Sequence, residues 1–268
     1  MSEPRVLVLS GYGLNCEDET LHAFKQAGAV GDIVHVNDLI DDPDRLAEYQ
    51  ILAIPGGFSF GDDTGSGSAL AVRLREHLGQ QLLDFVASKK LVIGICNGAQ
   101  VLVNLGLVPG FDESLHRDAA LLANATNRYQ CRWVHLKVNA SNRSPWLVGI
   151  DELFIPVAHG EGNFMLAPEA LDLVRERDMV AARYIDVQGH RAGGKFPANP
   201  NGSTDDMAML TDTTGRVLAT MPHPERAIAF TQRPDWPLKK EQLRRAGDKI
   251  PAAADGLKIF KNAVAYFQ

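Results

Sequence analysis

The chain has 268 residues, of which 45% are hydrophobic, so it can build one large α/β domain or two small ones around a sizeable core. Its formal net charge is −6, and no run of lysine and arginine is long enough to follow a phosphate backbone, which argues against nucleic acid as a partner. No apolar run approaches the roughly 20 residues that span a bilayer, which argues against a membrane partner.

In the first half of the chain, short apolar runs that end at glycine or proline alternate with stretches of helical spacing. The predicted strands are residues 6–10, 32–36, 51–54 and 91–95, and the predicted helices are residues 17–27, 74–86 and 98–105. Apolar strands that alternate with helices predict a mostly parallel sheet that is covered on both faces.

From residue 133 onwards, strand patterns follow one another with few helices between them. The candidate strands are residues 133–138, 153–157, 179–186, 207–211 and 216–221. Antiparallel additions to the same sheet explain this pattern, and no linker or repeat marks a second domain. We therefore predict one domain over residues 1–268, with an α/β fold: a mostly parallel open sheet, helices on both faces and antiparallel additions.

The end of the chain has a pattern of its own. Residues 230–255 are polar and contain prolines, which predicts a surface insertion. Residues 256–268 predict a closing helix whose apolar side chains face inward, namely Leu257, Phe260, Val264 and Phe267.

The cysteines and the amino terminus bear on the compartment. Cys16, Cys96 and Cys131 have unrelated spacings, which fit neither a disulfide framework nor a zinc site. The sequence MSEPRVLVLSG enters a strand-like run without a basic region and a cleavable apolar segment. We therefore expect the protein in the cytoplasm.

A cysteine stands at a sharp corner between a predicted strand and a predicted helix, in the sequence Gly94-Ile95-Cys96-Asn97-Gly98. This is the cysteine form of the nucleophile elbow, in which glycines on both sides allow the turn to be tight. The helix that follows favours a thiolate at its amino end, and the N–H of Asn97 can donate to an oxyanion. A buried structural cysteine is the alternative at this stage.

A histidine and a glutamate lie two positions apart in Met221-Pro222-His223-Pro224-Glu225-Arg226. In an extended segment, residues two apart point the same way, and the flanking prolines favour extension. A carboxylate beside an imidazole fixes the tautomer, so the other ring nitrogen can take a thiol proton. The elbow cysteine otherwise lacks a base, so Cys96, His223 and Glu225 form a candidate nucleophile, base and orienting group; a surface pair is the alternative.

A glycine turn, PGGFSFGD at residues 55–62, ends another predicted strand. Ligands in open α/β sheets lie beyond the carboxyl ends of the strands. No Gly-Lys-Ser/Thr follows, which excludes a phosphate loop, and the glycine spacing does not fit a dinucleotide site. A backbone N–H at Gly57 or Phe58 fits better as a second oxyanion donor.

These segments together resemble class I glutamine amidotransferases, and within them the glutaminase subunits of phosphoribosylformylglycinamidine synthases. The resemblance covers residues 5–230 and resumes at 256–260. It rests on the segments PGGFSFGD (55–62), GICNGAQ (94–100), NRYQCRWVHLKV (127–138), PVAHGEG (156–162), NPNGS (199–203) and MPHPERA (221–227). The sequence departs from the family pattern at Ala99 and at residues 63–65.

The resemblance implies a role for each matching residue. Cys96 is the nucleophile, His223 the base and Glu225 its orienting group. Gly57 and Asn97 form the oxyanion hole, while Gln100, Phe58 and His159 are expected around the bound substrate. His159 and Glu161 lack a third ligand at a useful spacing, so no metal site is expected.

The resemblance also implies the reaction and the partners. L-glutamine is hydrolysed through a cysteine thioester, and the ammonia passes to an ATP-dependent synthetase subunit in de novo purine biosynthesis. No cofactor is expected on this chain, because ATP and magnesium belong to the synthetase subunit. A small accessory subunit of the same complex is also expected.

Three other interpretations stay open from the sequence. One is a related hydrolase with an elbow cysteine, against which NPNGS and RWV argue. Another is a glutaminase that serves a different synthetase. The third is a non-catalytic binding or redox-sensing module of the same fold, which would not need His223 and Glu225 together.

Overall fold

The computed structural model describes residues 3–112 and 114–268 and contains a nine-stranded sheet with the strand order β2-β1-β3-β4-β11-β10-β9-β6-β7. The first five strands in this order run parallel to one another. They are β2 (Val30–His35), β1 (Arg5–Ser10), β3 (Ile51–Ile54), β4 (Leu91–Ile95) and β11 (Val217–Thr220). β3, β4 and β11 are buried at every residue, which requires cover on both faces of the sheet.

The other four strands extend the sheet in antiparallel pairs, as the sequence predicts. They are β10 (Met207–Thr211), β9 (Val180–Ile185), β6 (Gln130–Val138) and β7 (Glu152–His159). A separate two-stranded sheet joins β5 (Ala119–Ala123) to β8 (Glu161–Leu166). The main sheet takes strands from both halves of the chain, and the single domain over residues 1–268 stays a prediction.

Seven α-helices accompany the sheets in the described residues. They are α1 (Glu17–Ala27), α2 (Val36–Asp41), α3 (Ser68–Ala87), α4 (Asn97–Leu105), α5 (Pro168–Glu176), α6 (Trp236–Ala246) and α7 (Gly256–Ala265). α1 packs against α7, and α3 packs against α4. Within the described ranges, no helix combines the length and apolarity that crossing a membrane requires.

Several boundaries differ from the predicted ones for identifiable reasons. The predicted strand 32–36 begins at Val30 and ends at His35, because Val36 opens α2 and the ring of His35 accepts a hydrogen bond from the Asn37 N–H at 3.1 Å. The short elements α2, α5, β5 and β8 were not predicted from the sequence. β8 alternates buried and more exposed residues over only part of its length, so its period is weak.

The carboxyl-terminal region combines an exposed helix with a buried one. Part of residues 230–255 forms α6, which the sequence analysis did not assign and which has no buried residue. In α7, Leu257, Phe260 and Val264 are buried. Phe267 lies beyond the end of α7 and packs, partly buried, against the core.

Candidate active site

Cys96 lies between β4 and α4 in a backbone conformation that a residue with a side chain rarely adopts. Its φ is 51° and its ψ is −104°. The Cys96 N–H donates to the carbonyl oxygen of Thr220 on β11 at 2.8 Å, which ties the corner to the neighbouring strand. The residue is 6% exposed, and its Sγ lies 3.6 Å from the Ala158 carbonyl oxygen. A non-glycine residue held in this region is typical of a strained functional site.

The glycines on either side of Cys96 are required by close backbone packing. A Cβ at Gly98 would overlap the carbonyl group of Ile54 at the end of β3, and a Cβ at Gly94 would overlap the backbone of Gly98. The sharp turn therefore forms only when both positions lack a side chain. This is the physical reason that the sequence analysis gave for the elbow.

His223 and Glu225 form a buried pair beside Cys96. Glu225 Oε1 lies 2.6 Å from His223 Nδ1, and the two residues are 2% and 1% exposed, respectively. His223 Nε2 has no hydrogen-bond partner in the described structure. A Cβ at Gly56 would lie 2.9 Å from His223 Cε1 and 3.6 Å from Cys96 Cβ, so the imidazole and the nucleophile meet at this glycine.

The electrostatics of the pair favour a charged imidazole. Burial lowers the pKa of His223, but the negative charges of Glu225 and of the Cys96 thiolate outweigh burial and raise this pKa to about 10. An imidazolium beside a thiolate is the protonation state that a cysteine nucleophile uses. The structure thus brings together the three residues that the sequence analysis assigned as a triad.

Two backbone N–H groups near Cys96 are available to a ligand. The N–H of Asn97 belongs to the first residue of α4, where no carbonyl of the helix can accept from it. In the turn after β3, the Phe58 N–H donates to the Gly13 carbonyl oxygen at 2.9 Å and is therefore occupied. The Gly57 N–H makes no such bond in the described residues, so the structure favours Gly57 over Phe58 as the second donor.

The side chain of Asn97 joins the glycine turn to α4, a function that the sequence analysis missed. Its Oδ1 accepts from the Ser59 N–H at 3.1 Å. Its Nδ2 donates to Asp62 Oδ1 at 3.2 Å and to Gln100 Oε1 at 2.8 Å. Asn97 is fully buried, so these bonds fix the relative position of the two candidate oxyanion donors.

The three residues predicted as substrate contacts lie in different environments. Phe58 is 47% exposed beside the oxyanion turn. Gln100 is 3% exposed, and besides accepting from Asn97 it donates from Nε2 to the Glu161 carbonyl oxygen at 2.6 Å. A substrate contact by Gln100 therefore requires it to exchange these bonds, and its predicted role stays a prediction, as does that of Phe58.

His159 is a buried and uncharged histidine. It is 2% exposed, and its Nδ1 lies 3.1 Å from Asn124 Oδ1. Burial, together with the positive charge of His223, lowers the pKa of His159 to about 3. The Asn124 oxygen also accepts from the Gly162 N–H, so His159 Nδ1 carries the proton and Nε2 keeps its lone pair. Its predicted substrate contact stays a prediction.

Two further residues, Cys16 and Arg226, lie beside His223 and Glu225. Arg226 Nη2 donates to Cys16 Sγ at 2.9 Å. Ligating atoms of Cys16, His223 and Glu225 lie within 4.8 Å of one another, but the guanidinium of Arg226 already supplies positive charge there. Arg226 stands next to Glu225 in the sequence, which could have identified it, whereas nothing in the sequence marks Cys16.

Comparisons with known proteins show the family of this chain. The family model for the CobB/CobQ-like glutamine amidotransferase domain matches residues 3–267. The phosphoribosylformylglycinamidine synthase subunit PurQ of Methanococcus maripaludis is 48% identical, covering 98% of this chain and 97% of the relative. The subunit of the same name from Dehalococcoides mccartyi is 42% identical, covering 99% of this chain and 98% of the relative.

Solved structures show the same fold. A chain in the structure of PurLQS from Thermotoga maritima superimposes with a TM-score of 0.71 at 27% identity, and all of both chains is covered. A protein described as a putative GMP synthase subunit from Thermoplasma acidophilum has a TM-score of 0.53 at 15% identity, covering 99% of this chain and 94% of the other, and it supports the fold alone. From the family model and the two close relatives, the chain belongs to the CobB/CobQ-like glutamine amidotransferase family, among the PurQ subunits of phosphoribosylformylglycinamidine synthase.

Proposed function

We propose that this chain is the glutamine-hydrolysing subunit of a phosphoribosylformylglycinamidine synthase. The observation that carries the proposal is the buried set of Cys96, His223 and Glu225, with the N–H groups of Gly57 and Asn97 available beside it. Such a set needs only an amide substrate to perform acyl transfer. The match to the glutamine amidotransferase family supports the side chain of glutamine as that amide.

The first half of the reaction forms a thioester. The Cys96 thiolate attacks the side-chain carbonyl carbon of glutamine, and the N–H groups of Gly57 and Asn97 donate to the resulting oxyanion. As the carbon–nitrogen bond breaks, the His223 imidazolium gives a proton to the departing nitrogen, which leaves as ammonia. The high pKa of His223 ensures that this proton is present at neutral pH.

The second half releases glutamate. His223, now neutral, takes a proton from water, and the hydroxide attacks the thioester carbonyl carbon. The carbon–sulfur bond breaks, glutamate leaves and the thiolate–imidazolium pair is restored. Glu225 holds Nδ1 throughout, so Nε2 stays directed to the reacting atoms.

We assign the use of ammonia to a partner. Ammonia released into neutral water is mostly protonated and loses its nucleophilicity, so direct transfer to a synthetase is required. The PurLQS structure of the Thermotoga maritima neighbour supports an assembly with a synthetase subunit and a small accessory subunit. ATP and magnesium are assigned to the synthetase, this chain is assigned no cofactor, and the complex is placed in the cytoplasm.

The test is a glutaminase assay of this chain alone and with its candidate synthetase and accessory subunits, ATP, magnesium and formylglycinamide ribonucleotide. We expect glutamine hydrolysis to rise strongly only in the full mixture. The same result with a different synthetase, or hydrolysis that needs no partner, would contradict the assignment. A chain that never hydrolyses glutamine would instead favour a binding or redox-sensing module.

The Cys96→Ala variant separates catalysis from assembly. It should abolish glutamine-dependent product formation by the complex and leave synthesis from added ammonium intact, because the synthetase site is on another chain. The Cys131→Ala variant, which changes an exposed thiol, is the matched control and should leave both activities unchanged. Loss of the ammonium-dependent activity in Cys96→Ala would show that Cys96 is structural.

A further inference from the structure

Cys16 is a buried thiol that the proposed reaction does not use, although it lies beside the triad. It is 2% exposed. A Cβ at Gly56 would lie 3.3 Å from Cys16 Sγ and 3.6 Å from Cys96 Cβ. Cys16 and Cys96 therefore both border the space beside this glycine.

The sulfur of Cys16 has a partner on each side. It accepts from Arg226 Nη2 at 2.9 Å, and its S–H donates to Asn15 Oδ1 at 3.3 Å. Burial and the charge of Glu225 raise the pKa of Cys16 to about 11, against the opposing effect of Arg226. Cys16 thus stays a thiol at neutral pH, which suits a hydrogen-bonding role and not a second nucleophile.

Arg226 connects this thiol to the triad. Its Nε lies 3.6 Å from Glu225 Oε1, the same oxygen that contacts His223 Nδ1. The Arg226 side chain is 37% exposed, so nothing but its polar contacts keeps the guanidinium from turning to solvent. Among the residues that the structure describes, those contacts are Glu225 and Cys16.

The backbone of Cys16 is tied to the oxyanion hole. The N–H groups of Asn15 and Cys16 donate to the Gly56 carbonyl oxygen at 3.0 and 3.1 Å. That oxygen and the Gly57 N–H belong to one trans peptide and point in opposite directions. Holding the oxygen therefore fixes the direction of the Gly57 N–H, and a side chain at Gly57 would overlap the backbone of residues 13–15.

We propose that Cys16 is a positioning residue of the glutaminase site. Its sulfur holds Arg226 against Glu225, and its backbone N–H holds the Gly56–Gly57 peptide, whose N–H is the candidate oxyanion donor. The inference rests on the proposed function and adds a residue to it that takes no part in bond making. The turn that contains Cys16 thereby aligns the oxyanion donor with the His223–Glu225 pair.

The test uses the reconstituted complex and glutamine. Cys16→Ala removes the sulfur, and we expect kcat to fall about tenfold with little change in KM, because the acid–base pair is misaligned while the substrate still binds. Cys16→Ser keeps an acceptor and a donor of similar size and should restore most of kcat. Cys131→Ala is again the matched control.

The pH profile gives a readout that a purely structural role would not move. The charged and titratable groups around His223 are Glu225, Arg226, Cys16, Cys96 and His159. Without the anchored guanidinium, the charge of Glu225 acts on His223 with less compensation, so the pair binds its proton more tightly. The basic limb of kcat/KM, which reports the loss of the His223 proton, should move up by about half a pH unit in Cys16→Ala.

Arg226→Ala and the double variant complete the test. Both should reproduce the kcat loss and pH shift of Cys16→Ala, because all three remove one contact, and the losses should not multiply. Multiplying losses, or Cys16→Ala with wild-type kcat and pH profile, would overturn the inference. If Cys16→Ala does not fold, the Arg226→Ala variant takes its place. An unchanged pH profile in Arg226→Ala would also overturn the inference. A wild-type complex that does not hydrolyse glutamine would instead refute the proposed function.

Discussion

Replacing Glu225 with glutamine keeps the shape of a buried side chain and removes its charge. Burial alone lowers the pKa of His223, and the charge of Glu225, followed by that of Cys96, reverses this and raises the pKa from 6.5 to about 10. The difference corresponds to about 5 kcal/mol in favour of the imidazolium, at roughly 1.4 kcal/mol per pH unit. Without Glu225, burial dominates, and His223 should be neutral at neutral pH.

The loss of the imidazolium removes the proton that the departing nitrogen of glutamine needs. Removing the orienting carboxylate of a triad costs up to about 10⁴-fold in kcat. We expect about 10³-fold for Glu225→Gln, because a thiol ionises more readily than a serine hydroxyl. The basic limb of kcat/KM, which reports the loss of the His223 proton, should also move to lower pH, because the pKa of His223 falls without the charge of Glu225.

The assay is kcat/KM for glutamine against pH in the reconstituted complex. Glu241→Gln, which changes a carboxylate on the exposed helix α6, is the matched control. An unchanged pH profile in Glu225→Gln would show that Glu225 does not keep His223 charged.

Two further predictions concern stability, and both are measured by denaturant unfolding. Gly98→Ala should lower the free energy of unfolding by at least about 3 kcal/mol or prevent folding, because the added Cβ overlaps the Ile54 carbonyl. The control, Gly79→Ala inside α3, should be neutral or stabilising by up to about 1 kcal/mol. A Gly98→Ala protein as stable as the wild type would contradict the packing of the elbow. The pKa of His159 is about 3 in the folded chain and 6.5 ordinarily, so the unfolded chain binds the extra proton and stability falls as the pH drops below 6.5. Between pH 7.5 and 5 the wild type should lose about 2 kcal/mol more than His159→Gln, and equal losses would show that His159 is not held neutral.

The elbow and the His-x-Glu pair could be predicted because their chemistry constrains neighbouring residues. Glycines at 94 and 98 are needed for backbone contact with β3 and α4, and prolines around His223 restrict its segment, so both leave a local pattern. The parallel strands could be predicted for a similar reason, since burial on both faces produces continuous apolar runs.

Cys16 and the side chain of Asn97 could not be assigned their contacts from the sequence. The partners of Cys16 lie far along the chain, at Gly56 and Arg226, and a small cysteine before a helix has no distinctive pattern. Asn97 fits the elbow on its backbone alone, whereas its side-chain bonds depend on how the turn after β3 approaches α4. Short elements such as α2 could not be predicted for a related reason, because six residues are too few to show a helical period.

The central claim is that Cys96 is the nucleophile that attacks glutamine. The most direct measurement is mass-spectrometric mapping of the chain after reaction with an electrophilic chloroketone analogue of glutamine, with excess glutamine as a protecting control. We predict one adduct, on Cys96, that glutamine suppresses and that Glu225→Gln slows. An adduct on Cys16 or Cys131 in place of Cys96, or labelling that glutamine does not suppress, would contradict the account.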